Sequence, residues 1–71
     1  MEEEPKDWSF SSHIGKDLRN IDLTKANLKR AVFDYSDMES ANLSGSDLRN
    51  ASLQGTNLMK AALDGADLRG A

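Results

Sequence analysis

His13 is the single histidine in a chain of 71 residues, and imidazole is the side chain best suited to acid or base work near neutral pH. The sequence pairs it with no nucleophile and orienting carboxylate, so it reads as a surface or cap histidine rather than a base. Carboxylates are abundant, and two that a fold stacks together, such as Asp17 and Asp37, could carry a raised pKa. That chemistry would still need a concave pocket. Gly45, Gly55, Gly65 and Gly70 are too regularly placed for a phosphate cradle and read as turn residues. Cysteine is absent, which excludes a disulfide framework, a thiol nucleophile and a zinc finger, and no calcium loop or metal cluster can be found. No catalytic residue, metal ligand or cofactor site is therefore assigned, and the chain is expected not to be an enzyme.

The remaining chemistry is charge. Twelve Asp and Glu face nine Lys and Arg, a formal net charge of −3. The excess has an address: residues 1–15 carry Glu2, Glu3, Glu4 and Asp7 against Lys6, whereas residues 16–71 are balanced. Such a profile argues against a nucleic-acid partner. No apolar run approaches the ~18 residues of a membrane span, and the acidic start Met-Glu-Glu-Glu-Pro is unlike a signal peptide. A cytoplasmic protein without a membrane partner is expected. Among the cations, Lys29, Arg49 and Arg69 recur twenty residues apart. They form a candidate face for an acidic protein partner, if the fold stacks them and neighbouring acids do not compensate them.

Such stacking is what the apolar residues predict. Leu18, Leu23, Leu28, Phe33, Met38, Leu43, Leu48, Leu53, Leu58, Leu63 and Leu68 stand five residues apart. Two residues before each centre, from position 21, lies a residue that is nearly always small: Ile21, Ala26, Ala31, Ser36, Ala41, Ser46, Ala51, Thr56, Ala61 and Ala66. Five residues advance an α-helix by ~500°, which would smear the centres around the cylinder. On a straight strand an odd period sends successive centres to opposite faces. A chain that turns a corner every five residues satisfies the pattern, and four such corners close a square coil of twenty. The glycines at the last position of their units suit those corners.

Ala26-Asn27-Leu28, Ala41-Asn42-Leu43, Ser46-Asp47-Leu48 and Ala66-Asp67-Leu68 resemble the A(D/N)LXX unit of pentapeptide repeat proteins, and the likeness runs over residues 16–70. Val32, Ser52 and Ala62 depart from it by replacing the usual Asp or Asn, and Lys16 and Ile21 occupy small positions. The resemblance implies an all-β solenoid, a right-handed quadrilateral β-helix. At twenty residues per coil, residues 16–71 make about 2.8 coils. Residues 1–15 are expected to be an acidic leader and N-terminal cap, with Trp8, Phe10 and Ile14 folded over the first coil.

At the other end Leu58, Leu63 and Leu68 line a coil edge that nothing in the chain is expected to cover. Three occupants stay open: a second copy in a two-fold homodimer, which is the favoured expectation, the continuation of a longer solenoid, or a different protein. The function expected is a non-catalytic structural or interaction module that presents a face or coil edge to a protein partner. The resemblance also implies an alternative, since some pentapeptide repeat proteins mimic duplex DNA and bind DNA gyrase. The balanced charge and short rod of this chain weigh against it.

Overall fold

The unit Ala26-Asn27-Leu28-Lys29-Arg30 shows how sequence becomes structure. Arg30 takes a positive φ of 60°, and the Ala31 N–H closes the corner by donating to the Leu28 carbonyl at 3.0 Å. A positive φ at the third residue of such a four-residue turn is the type II geometry. The same positive φ recurs at every fifth residue from Phe10 to Gly70, and at Gly15 the Lys16 N–H donates to Ser36 Oγ at 3.0 Å in place of the closing bond. Between corners a side has room for a single bridged residue, so no continuous strand forms among the described residues, which are 4–71 of this computed structural model.

Parallel bridges join residues twenty apart, from Asp7 to Asn27 at one end to Asp47 and Asp67 at the other. Four corners therefore fall within each repeat of the ladder, and the coils stack in register. Within a bridge the Leu28 N–H donates to the Asp47 carbonyl at 2.8 Å and the Asp47 N–H donates to the Ala26 carbonyl at 2.9 Å. The corner adds another bond, from the Arg30 N–H to the Arg49 carbonyl at 3.0 Å. Backbone pairing between coils thus replaces the ladder that a longer strand would make.

Centre and small positions point inward. Leu23, Leu28, Phe33, Met38, Leu43 and Leu48 are fully buried, with Ala26, Ala31, Ala41 and Ala51 between them. At ~1.5 to 3 kcal/mol for each large side chain removed from water, this column supplies the main cohesion of the stack. Polar residues at small positions are satisfied: Ser46 Oγ donates to the Leu43 carbonyl at 2.7 Å, and Thr56 Oγ1 to the Phe33 carbonyl at 2.8 Å.

The N-terminal segment corrects the boundary expected at residue 16. Bridges from Asp7 to Asn27 and from Ser12 to Val32 carry the coil back through that segment. From Lys6 to Ala71 the solenoid makes about 3.3 coils. Trp8 and His13 occupy centre positions, so His13 is a member of the repeat and not a residue outside it. Trp8 packs against the core from within the first coil. Phe10 and Ile14 do not cap anything: they occupy a corner and an outward position and are 69% and 59% exposed. Glu2 and Glu3 of the expected leader lie outside the described residues.

Candidate interaction surfaces

The second residue of each unit, usually Asp or Asn, caps its own side. Asp47 Oδ1 accepts the Arg49 backbone N–H at 3.1 Å, Asn27 Oδ1 the Lys29 N–H at 3.2 Å, and Asn42 Oδ1 the Ser44 N–H at 3.1 Å. These are Asx turns, in which a short side chain satisfies a backbone donor two residues on. Ser52 interrupts the series. There Asp34, one coil earlier, accepts both the Ser52 Oγ–H and the Gln54 N–H, the latter at 3.0 Å.

Lys29, Arg49 and Arg69 lie on the sides that the Asn27–Asp47 and Asp47–Asp67 bridges stack, and both arginines are engaged. Arg49 Nη2 lies 2.7 Å from Asp47 Oδ2, and its Nε reaches toward Asp67 in the next coil at 3.9 Å. Arg69 Nη2 is 2.6 Å from Asp67 Oδ2. Hydrogen bonds from the Arg49 side chain hold the Asp47 carboxyl down at about 2. Asp67 is lowered for the same reason by Arg69. At Arg49 and Arg69 the face presents bidentate pairs with aspartate rather than bare cations.

Asp17 and Asp37 are bridged one above the other, but they do not form a proton-sharing pair. Arg19 lies between them, 2.7 Å from Asp17 Oδ2 and 3.9 Å from Asp37 Oδ2. Its side-chain hydrogen bonds hold the Asp17 carboxyl at about 2, the opposite of the raised value a shared proton would give. Among the described residues no group of histidine and carboxylate side chains could hold a metal ion.

Sequence reasoning missed the surroundings of His13. Its ring stacks on Trp8 at 4.4 Å between centroids and on Phe33 at 5.4 Å. His13 Nε2 is 2.7 Å from Ser11 Oγ, whose proton goes to the Trp8 carbonyl. The hydroxyl therefore accepts from Nε2–H, an orientation that gives Ser11 no base. The signal was available: Trp8 and His13 continue the five-residue spacing of the centres upstream of Leu18, and Gly15 continues the corners.

At the C-terminal edge Leu58 and Leu63 are half-buried and Leu68 is 41% exposed, whereas Leu48, one coil earlier in the Leu68 column, is 0% exposed. A shallow groove beside Leu68 is lined by Asn50, Ala51, Leu53, Gln54 and Ala71.

The sequence family of pentapeptide repeats matches residues 17–50 and 36–71, which together span most of the chain. The chain belongs to the pentapeptide repeat family. In this pentapeptide repeat chain the ladder extends one half-coil upstream of the family match, to Asp7. None of the curated proteins matches the chain in sequence. Among solved structures, a pentapeptide repeat protein from Nostoc Pcc 7120 is 26% identical, with 89% of this chain and 64% of that chain covered and a TM-score of 0.31. The chain thus spans less than two thirds of that relative, and a superposition at that score adds nothing to the fold described above. Among the described residues no helix is long and apolar enough to cross a membrane.

Proposed function

We propose that this chain is a non-catalytic interaction module, a rigid right-handed pentapeptide repeat solenoid that binds a protein partner through a coil edge. The handedness is the one that the resemblance to pentapeptide repeat proteins implies. The observation that carries the reading is the contrast within one column: Leu48 is 0% exposed and Leu68 41%. A core residue type, at a core position, stands open together with the half-buried Leu58 and Leu63. The apolar edge is better suited to binding than the charged face of Arg49 and Arg69, where both arginines are already paired with their neighbouring aspartates.

The occupant we favour for the edge of Leu58, Leu63 and Leu68 is a second copy of the chain, in a two-fold dimer. Light scattering over a wide concentration range tests it. Dimer mass that is lost in Leu68→Asp supports the reading, while a monomer at every concentration removes it. The column of Lys29, Arg49 and Arg69 is the secondary surface, for an acidic protein. Recovery of the same partner from native host extract by the wild type and by a triple charge reversal to Glu would discard that face.

A further inference from the structure

The first coil is held to the rest of the solenoid differently from any other. Its backbone bonds are ordinary: the Trp8, Phe10, His13 and Gly15 N–H groups donate to the Asn27, Lys29, Val32 and Asp34 carbonyls at 2.7 to 2.9 Å. Its interior is not. Where the next coil presents Leu28 and Phe33, the first presents Trp8 and His13, and the imidazole lies between the indole and the Phe33 ring. Outward Phe10 and Ile14 are exposed and add little buried area. Beyond the backbone bonds and Ser36 Oγ, which donates to the His13 carbonyl and accepts the Lys16 N–H at 3.0 Å, attachment of residues 6–16 therefore leans on a stack whose middle member titrates.

We propose that the first coil is an acid-released flap, in which neutral His13 holds Trp8 against the core and protonation of the imidazole frees residues 6–16 from the coil beneath.

The hydrogen-bond arrangement shows why a second proton is disruptive. With Nε2–H donating to Ser11 Oγ at 2.7 Å and the Ser11 proton committed to the Trp8 carbonyl, the incoming proton must go to Nδ1. The resulting cation would sit between two rings with no carboxylate to pair with. Lys16, on the same coil, repels it. The carboxylates nearest in the ladder are otherwise engaged. Asp17 pairs with Arg19, Asp34 accepts from Ser52 and Gln54, and Asp37 accepts from Asn57 Nδ2 and the Glu39 N–H. Asp7 accepts from Ser9. Burial first, and Lys16 second, move the imidazole below its usual range. The quadrupoles of the flanking rings attract a cation and offset part of this trend.

One tryptophan and one histidine make the outer and middle members of the stack directly observable in the full chain. His13 is titrated by proton NMR while Trp8 fluorescence and amide exchange are followed between pH 7.5 and 4.5. The expected result is a His13 midpoint below 6.5 and a Trp8 transition at the same pH. Protection of the Trp8, Phe10, His13 and Gly15 amides should then fall, by about tenfold for each full unit that the His13 midpoint lies below 6.5, after correction for intrinsic rates, while Leu28, Phe33 and Leu43 stay protected. His13→Phe keeps a ring in the stack and should abolish the transition. Should that variant fail to fold, Lys16→Gln should raise the His13 midpoint and shift the Trp8 transition with it. A midpoint at or above 6.5, an unaltered transition in His13→Phe, or simultaneous loss of protection in every coil would overturn the proposal. The dimer proposed above involves the opposite edge, so its mass reports on that reading separately.

Discussion

Asp34 substitutes for the residue that position 52 lacks: its carboxylate accepts the Gln54 backbone N–H at 3.0 Å from one coil away. In most units this donor is capped by the Asp or Asn two residues earlier, but Ser52 uses its hydroxyl to bond Asp34 instead. Asp34→Ala should therefore cost about 1.5 to 3 kcal/mol, as for a lost hydrogen bond to a charged group. Ser52→Asn in the same background should recover part of it by restoring the local cap. Urea unfolding of the single and double variants measures the coupling, and additive effects would contradict the substitution.

Gly55 and Gly15 share the left-handed corner conformation at φ +66° and +67°, but their surroundings differ. A Cβ at Gly15 meets nothing within 4 Å, whereas one at Gly55 falls 2.6 Å from Cδ1 of the Tyr35 ring. Gly15→Ala should cost about 1 kcal/mol of backbone strain. Gly55→Ala should cost more, and Tyr35→Ala should relieve the excess. Thermal unfolding of the set distinguishes strain from collision.

At Lys60 the relation is reversed, since a side chain already bears a positive φ of 60°. Lys60→Gly removes that strain but enlarges the entropy of the unfolded chain. The two nearly cancel, so a shift within about 0.5 kcal/mol is expected by urea titration.

Asp17 and Asp47, both held at about 2 by neighbouring arginines, set the acid response of the outer faces. Each is depressed below its unfolded value, so its stabilising contribution is present at neutral pH and is lost as pH falls from about 4 toward 2. Arg49→Gln should raise the Asp47 carboxyl toward its ordinary range. The measurement is the carboxyl titration by NMR, and an unmoved Asp47 would show that the ion pair does not set its value.

Leu43 is fully buried in the middle of the stack. Leu43→Ala should cost about 2 to 5 kcal/mol, whereas Met38→Leu, which conserves volume in the core, should stay within about 1.5 kcal/mol. Calorimetry of the two variants ranks them.

The five-residue spacing from Leu18 to Leu68 carried the repeat, the inward positions and the stacking of columns, because burial imposes a period that composition cannot hide. It faltered at His13 because that centre is polar, and Trp8 beyond it was read as a separate cap. The backbone ladder shows that both are centres. The twenty-residue coil puts Lys29, Arg49 and Arg69 in one column beside Asn27, Asp47 and Asp67, which favours a face of compensating charges over a docking ladder. Asp47 and Asp67 lie on the same sides as Arg49 and Arg69 and reach them first. Long-range substitution of a cap, as between Asp34 and Gln54, depends on side-chain reach and left no mark in the periodicity.

The bonds between coils run unequally in the two directions. For each side, the centre and corner amides donate forward, as Leu28 and Arg30 do to Asp47 and Arg49, while one amide, that of Asp47, donates back to Ala26. A coil edge facing forward along the chain therefore shows two N–H groups for every carbonyl, and an edge facing backward shows the converse. Two like edges meeting about a two-fold axis can match a carbonyl with one amide on each side, which leaves the corner amide to water or to a side chain. Unlike edges match completely. The solenoid is thus a polar stack, and the hydrogen bonds a partner must supply depend on which end of it that partner meets.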